Sequence, residues 1–411
     1  MSRNGTVVVA LTFALAISTA PLTAQPIKGK AGELFVQAQS LMASGQLEKA
    51  QTVLREALKV AEGPSDPIVI AGRIAAIQAS LGKFEEAKAY LTVQADKTGN
   101  SGYKIELARL ILQSDPSGAP AAVQILKDIV SREPKNTEAW IEYGRALARA
   151  SDYPESMRAY EQVTMHLAPR ELRAHYGLVE TFILSAMFKR ATNAMTAALA
   201  INPEAPESYV WLGRTYDRDL SKVGRFAFAV EQYERAFQLD KTQAMYLGHV
   251  LFDLIMSDNY DNAKSYGKRL DKYPSDSVKF WFDGLLKELS GDVAGALTLF
   301  QRAVAANPQN IYAHFALAHV YSGEPSPGFG PLRGARTERW RYAPHRDLKK
   351  ASQEAHVVRL LDPTFPYQST LLANVTEKLA AEYPTRTTPD EASAQRIKKM
   401  VGYFKHLQMT R

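Results

Sequence analysis

In residues 277–308, apolar residues fall at helical spacing on both sides of Gly291, and Pro308 follows Asn307 as a breaker. A period near 3.6 on each side of a glycine predicts two amphipathic helices joined by a tight turn. Counted from Ser277 as position 1, Gly284, Gly291, Ala296 and Ala303 stand at positions 8, 15, 20 and 27, Phe280 and Phe300 at 4 and 24, and Pro308 at 32. Gly284 and Ala296 leave room where the two helices cross. Ala303 does the same against the next hairpin, and the two rings fill the seam.

The same spacing recurs along the chain. The first hairpin begins near Ala31 and carries Ala38, Gly45, Ala50, Leu54 and Ala57; the second carries Ala75, Gly82, Ala87 and Leu91. The third has Leu107, Ala108, Ile111, Ala122 and Leu126, and the fourth Trp140, Gly144, Leu147 and Tyr160, with Ser156 where alanine is expected. In the fifth, Val179 takes a small-residue position, so its first helix must sit differently. The sixth has Gly213, Ala229, Tyr233 and Ala236. The seventh is the weakest, because Gly248 competes for the register. Residues 277–308 form the eighth hairpin. A broken ninth follows, with Leu317, Ala318 and Tyr321, then a long loop, then Ala351, Val358 and Pro363.

This spacing resembles the tetratricopeptide repeat, a helix-turn-helix unit of 34 residues that stacks into a solenoid. The resemblance covers roughly residues 31–363. It implies an all-α, right-handed helical-hairpin solenoid of about nine hairpins, with residues 364–411 as C-terminal capping helices. Two helices are read there, over residues 368–382 and 388–408; the second starts strongly at Thr388, Pro389, Asp390 and Glu391 and presents one apolar stripe.

In tetratricopeptide solenoids the first helices line a concave groove, so the resemblance also implies a binding face. By register it comprises Arg145, Arg149, Tyr176, Arg214 and Arg218, continued by Trp281, Tyr312, Phe315 and His319. One half is basic and the other aromatic, a surface suited to an extended peptide whose carboxylates pair with arginines and whose apolar side chains meet rings. The arginines are expected to be exposed, since long charged side chains are rarely fully buried without partners. Trp281, Tyr312 and Phe315 fit a second reading equally well, as ordinary core. The family's chaperone-binding members use a lysine and asparagine clamp, but the matching positions here hold Ile141, Arg145, Val210 and Arg214, which argues against chaperone tails.

Residues 323–345 break the pattern with four prolines and four glycines, and neither helix nor regular sheet is expected there. Arg333, Arg336, Arg339 and Arg341, interleaved with Trp340, offer a basic loop for an anionic polymer, a lipid head group or an acidic protein surface. The formal net charge of +7 arises toward this end of the chain, and residues 25–332 are close to neutral.

There is no cysteine, which excludes disulfides, thiolate metal sites and a lipid-modified cysteine. Arg3, an apolar run from Val7 to Ile17 and small residues up to Ala24 read as a signal peptide cleaved near Ala24, followed by a linker at 25–30. The mature chain is then expected to be periplasmic or secreted, without a transmembrane span, and the leader argues against nucleic acid as a partner. No metalloprotease helix, nucleophile elbow or phosphate loop is found. His314 and His319 are five residues apart, an offset that does not bring two ligands onto one helical face. The expectation is a non-catalytic scaffold, without cofactor or metal, for a protein partner of the cell envelope, in pilus assembly, secretion or exopolysaccharide export. The alternative is a periplasmic binding protein for an anionic glycan or acidic peptide.

Overall fold

The computed structural model describes residues 27–43, 45–115, 117–219, 223–272, 276–327 and 341–382. The expected leader, the helix read over 388–408 and the loop residues Arg333, Arg336, Arg339 and Trp340 lie outside them. Among the described residues there are helices and turns but no strand.

The helices pair as hairpins in chain order. The first four pair α1 (Gly29–Ala43) with α2 (Leu47–Lys59), α3 (Asp66–Ser80) with α4 (Phe84–Thr98), α5 (Ser101–Ser114) with α6 (Ala119–Arg132), and α7 (Thr137–Arg149) with α8 (Tyr153–Gln162). The next three pair α9 (Leu172–Leu184) with α10 (Phe188–Ile201), α11 (Pro206–Arg218) with α12 (Arg225–Leu239), and α13 (Met245–Met256) with α14 (Tyr260–Arg269). The eighth joins α15 (Asp276–Leu289) to α16 (Val293–Ala306), and the ninth joins α17 (Ile311–Tyr321) to α18 (Leu348–Leu361) across the long loop. A single helix, α19 (Gln368–Glu382), packs on α18. This is the all-α hairpin solenoid that the resemblance implies.

Small residues on the first helices receive rings from the second. A Cβ on Gly284 would lie 2.6 Å from the Phe300 ring, and one on Gly213 would lie 2.6 Å from Tyr233. Tyr160 of α8 is wedged between two glycines, Gly144 of its own hairpin and Gly177 of the next. That is how the fifth hairpin accommodates Val179: Gly177 provides the opening instead, and Val179 is fully buried. Ser156, standing where alanine was expected, costs nothing because its hydroxyl donates to the Gly144 carbonyl at 2.8 Å and lies 3.0 Å from the Thr181 hydroxyl. A buried hydroxyl is tolerated when it is so paired.

Most turns between paired helices take a left-handed residue. Gly291 takes it at φ +87°, while Ser151, Ala186 and Asp258 hold the same place in other hairpins at φ +64°, +56° and +59°. Asparagine caps start several first helices: the Asn136 side chain accepts from the Ala139 N–H at 3.0 Å, and Asn310 from Ala313 at 3.2 Å.

Successive first helices touch, α3 with α5, α5 with α7, α7 with α9, α9 with α11 and α13 with α15, whereas successive second helices scarcely meet. The stack therefore curves with its first helices inside. Most hairpins bury their seams in small clusters shared with one neighbour, but hairpins six to nine and α19 share a single large core. Phe365, between α18 and α19, belongs to that core.

Candidate functional site

The inner face from α7 to α17 is where the binding groups were expected, and the chain lays the end of α18 and the turn after it against that face. Helix α18 ends at Leu361, so its last carbonyls lack intrahelical donors and carry the negative end of its dipole. Three arginines of the inner face meet this end. Arg149 on α7 donates to the Leu360 carbonyl at 3.2 Å. Arg218 on α11 donates through Nε to the Thr364 carbonyl at 3.0 Å and through Nη2 to Asp362 at 2.9 Å. Arg214, one turn earlier, stands 3.5 Å from the same Asp362 oxygen. Thr364 completes the turn by donating its N–H to Asp362 at 2.9 Å.

Burial opposes charge on Asp362, but the Arg214 and Arg218 guanidinium groups outweigh it and, with the Thr364 bonds, hold its carboxyl well below the usual carboxylate range. Arg218 also pairs with Asp217, which accepts from the Tyr233 hydroxyl at 2.7 Å. Behind them, Asp253 has a buried oxygen with no hydrogen-bond partner. Burial, then the neighbouring Asp217, raises the Asp253 carboxyl well above its ordinary range. His249 is pushed the other way: burial first, then Arg214 and Arg218, depress its imidazole, so it sits neutral beside Tyr312.

Asp253 thus binds a proton in the folded chain that it loses in the unfolded one near pH 4. Its share of stability is present below that pH and is lost as the pH rises through the raised value. Asp253→Asn, which carries no such charge, should gain melting temperature relative to the parent as the pH goes from 4 to 8. Melting curves across that range check it, and a pH-independent difference would refute it.

Further along the face the contacts turn aromatic. The Phe365 ring centroid is 4.9 Å from Phe315 and 5.3 Å from Phe252, Phe252 is 4.8 Å from Tyr312, and Tyr312 is 4.9 Å from Trp281. Trp281 is only 2% exposed, with Tyr312 and Phe315 close behind at 4% and 3%. Of the two readings of these rings, the structure places them in the core.

The arginines correct the expectation of an exposed basic groove. Arg218 is 8% exposed, because Asp217, Asp362 and the Thr364 carbonyl supply the partners that a buried guanidinium needs. Arg149 and Arg214 are half-buried against the same turn. Only Arg145 keeps an open guanidinium, 37% exposed and 3.1 Å from Glu142. Tyr176 is half-buried, its hydroxyl 2.9 Å from that of Ser208; burial lifts its phenol to about 12. His319 is half-buried with its ring edge 4.7 Å from Phe315. The structure thus brings Arg149, Arg214 and Arg218 together at one turn and Trp281, Tyr312, Phe315 and His319 at its aromatic end, leaving Arg145 and Tyr176 to one side.

Of the basic loop, Arg341 is described, in a short turn before Tyr342. Tyr342 is fully buried and donates to Glu288 at 2.9 Å, and the Ser326 N–H donates to the same carboxylate at 2.7 Å. Both described ends of the loop are therefore pinned to α15.

Two features escaped the sequence reading. One is the turn at 362–367, taken only as the breaker after the ninth hairpin; an acid before a proline gave no sign of which arginines it would meet. The other is a ladder of ion pairs across the early first helices. Arg109 pairs with Glu106, Glu138 and Glu142, and Arg173 with Glu138 and Glu171. Glu138 and Arg173 are 35 residues apart, close to one repeat, so comparing charge along the repeats would have found it. Glu142 is buried, yet Arg109 and Arg145 outweigh that burial and keep its carboxyl below the ordinary range.

Among the described residues no group of three His, Asp or Glu side chains is placed to hold a metal ion. No helix there is long and apolar enough to cross a membrane.

Residues 117–171 match the family model of the tetratricopeptide repeat. No curated protein matches the chain. Solved structures similar to it include a tetratricopeptide repeat protein from Parabacteroides merdae, 15% identical over 68% of this chain and 94% of that one, with a TM-score of 0.40. A thermophilic tetratricopeptide protein of Thermus thermophilus is 18% identical over 46% of this chain and 98% of that one, TM-score 0.38. MamA from Desulfovibrio magneticus is 24% identical over 41% and 94%, TM-score 0.32.

Proposed function

We propose that this chain is a non-catalytic protein-protein interaction scaffold of the bacterial cell envelope, exported by its leader and acting in the periplasm. The reading rests on the matched repeat, on an inner face built from successive first helices, and on one observation above the others. That face holds a peptide turn by three chemistries at once: a carboxylate on two arginines, a backbone carbonyl on a third contact from Arg218, and a ring among rings. A surface that recognises a main-chain carbonyl together with side chains is suited to polypeptide.

The test is purification of the tagged full-length chain from its native host after cell fractionation. A discrete protein recovered with it from the periplasmic fraction, and a mature amino terminus near Gln25, are the expected results. A bound acidic polysaccharide without any protein would favour the alternative, a binding protein for an anionic glycan. Recovery only from the cytoplasm with Met1 intact would remove the envelope assignment.

A further inference from the structure

We infer that the inner face formed by the first helices α7 to α17 is a peptide site held shut by the chain's own residues 362–367, and that its partner carries the same chemistry, a carboxylate followed three residues later by a phenylalanine. The inference rests on the scaffold reading above and adds to it the partner's motif and the means of its control.

The chain's own turn displays what the site accepts. Asp362 and Phe365 are three residues apart and reach two different subsites, the Arg214 and Arg218 pair on α11 and the ring cluster of α13 and α17. Between and beyond them, Arg218 holds the Thr364 carbonyl at 3.0 Å and the Tyr367 ring lies 6.1 Å from Phe315, farther out than the Phe365 ring. Pro363 lies between the two anchors, and the Phe365 N–H closes the turn on the Asp362 carbonyl at 3.1 Å. The chain's own turn also leaves the site under-filled. Arg214 meets Asp362 with one terminal nitrogen at 3.5 Å, beyond a good charged hydrogen bond, and its buried Nε has no hydrogen-bond partner. Arg145, on the same face two hairpins earlier on α7, is 37% exposed beside Glu142. A partner carrying a second acid before the Asp-x-x-Phe segment would reach groups that the chain's own turn leaves unused.

Because the occluding segment is tethered, it competes at an effective concentration in the millimolar range, and the apparent affinity of an incoming peptide falls by the fraction of time the site is open. A partner of this chemistry therefore binds weakly until the chain's own turn is released.

The experiment uses a labelled peptide of residues 359–368 with blocked ends, a control peptide with the aspartate and phenylalanine replaced by asparagine and alanine, and the full chain. The opened chain carries Asp362→Asn and Phe365→Ala, with helix content checked by circular dichroism. By fluorescence anisotropy the peptide should bind the opened chain at least about tenfold more tightly than the parent chain, and the control peptide should bind neither. Equal binding to parent and opened chain, or equal binding of both peptides, overturns the inference. If the opened chain does not fold, the parent chain decides. A peptide with benzophenone-alanine at the phenylalanine position should crosslink at millimolar concentration to α13 or α17, and no crosslink there overturns the inference. A host protein that copurifies and is not displaced by the peptide leaves the scaffold reading standing and removes this one.

Discussion

Replacing Arg218 with alanine should cost the folded chain about 3–5 kcal/mol, the range for stripping one partner from a buried ionic group. Two carboxylates, Asp217 and Asp362, share this guanidinium, and both are nearly inaccessible to water. Without it, Asp217 keeps only the Tyr233 hydroxyl, and Asp362 keeps Arg214 at a longer distance. Burial then pushes both carboxyls toward protonation. The measurement is urea unfolding followed by circular dichroism and tryptophan fluorescence. A second variant sharpens it: Arg218→Ala combined with Asp362→Asn should recover part of the loss, since one uncompensated charge is gone. A loss below about 1 kcal/mol, the value of a solvated pair, would mean that the arginine is not enclosed as described.

Trp281→Ala should be comparably damaging, about 3–5 kcal/mol by the measure of large aromatics removed from cores. Its ring packs on Tyr312 inside the shared core of hairpins six to nine, so its removal leaves a cavity between packed helices. Arg145→Ala serves as the contrast on the same inner face. Its partially exposed pair with Glu142 should contribute no more than about 1 kcal/mol, because Arg109 still neutralises Glu142 at 3.0 Å. Thermal and urea unfolding of the two variants side by side give the comparison. Similar losses for both, or a Trp281→Ala chain as stable as the parent, would place the tryptophan outside the core.

The hairpins were legible because their determinants are local. A glycine at Gly284 and a ring at Phe300 lie 16 residues apart in one hairpin, and the pairing of Gly213 with Tyr233 needs no knowledge of the rest of the chain. The position of the arginines on first helices was legible for the same reason: register alone puts Arg145, Arg149, Arg214 and Arg218 on the inner face. What they do was not. Asp362 lies 144 residues beyond Arg218, and whether a charged side chain ends in water or in the core depends on where so distant a segment folds. The rings posed the same difficulty in milder form. Trp281, Tyr312 and Phe315 look alike whether a face is open or filled, and only the placement of Phe365 decides between them.

Stacked repeats ordinarily behave as a row of units, each answering to its neighbours, so that the array can lose order from either end. Here the far end is fastened back to the middle: the turn after α18 is gripped by α7 and α11, several hairpins earlier in the chain. That contact makes a loop of what would otherwise be a line. Hairpins four to nine are enclosed within it, and to free any of them the fastening must open, which couples their fates as ordinary nearest-neighbour contacts do not. Hairpins one and two lie outside the loop and keep the independence of a linear array, while hairpin three borders it, Leu112, Asp115 and Ala119 facing His356, Arg359 and Leu360 of α18 across a small cavity. A single chain built from one kind of unit thereby acquires two kinds of cooperativity, separated near α5 by geometry rather than by any change in the repeat.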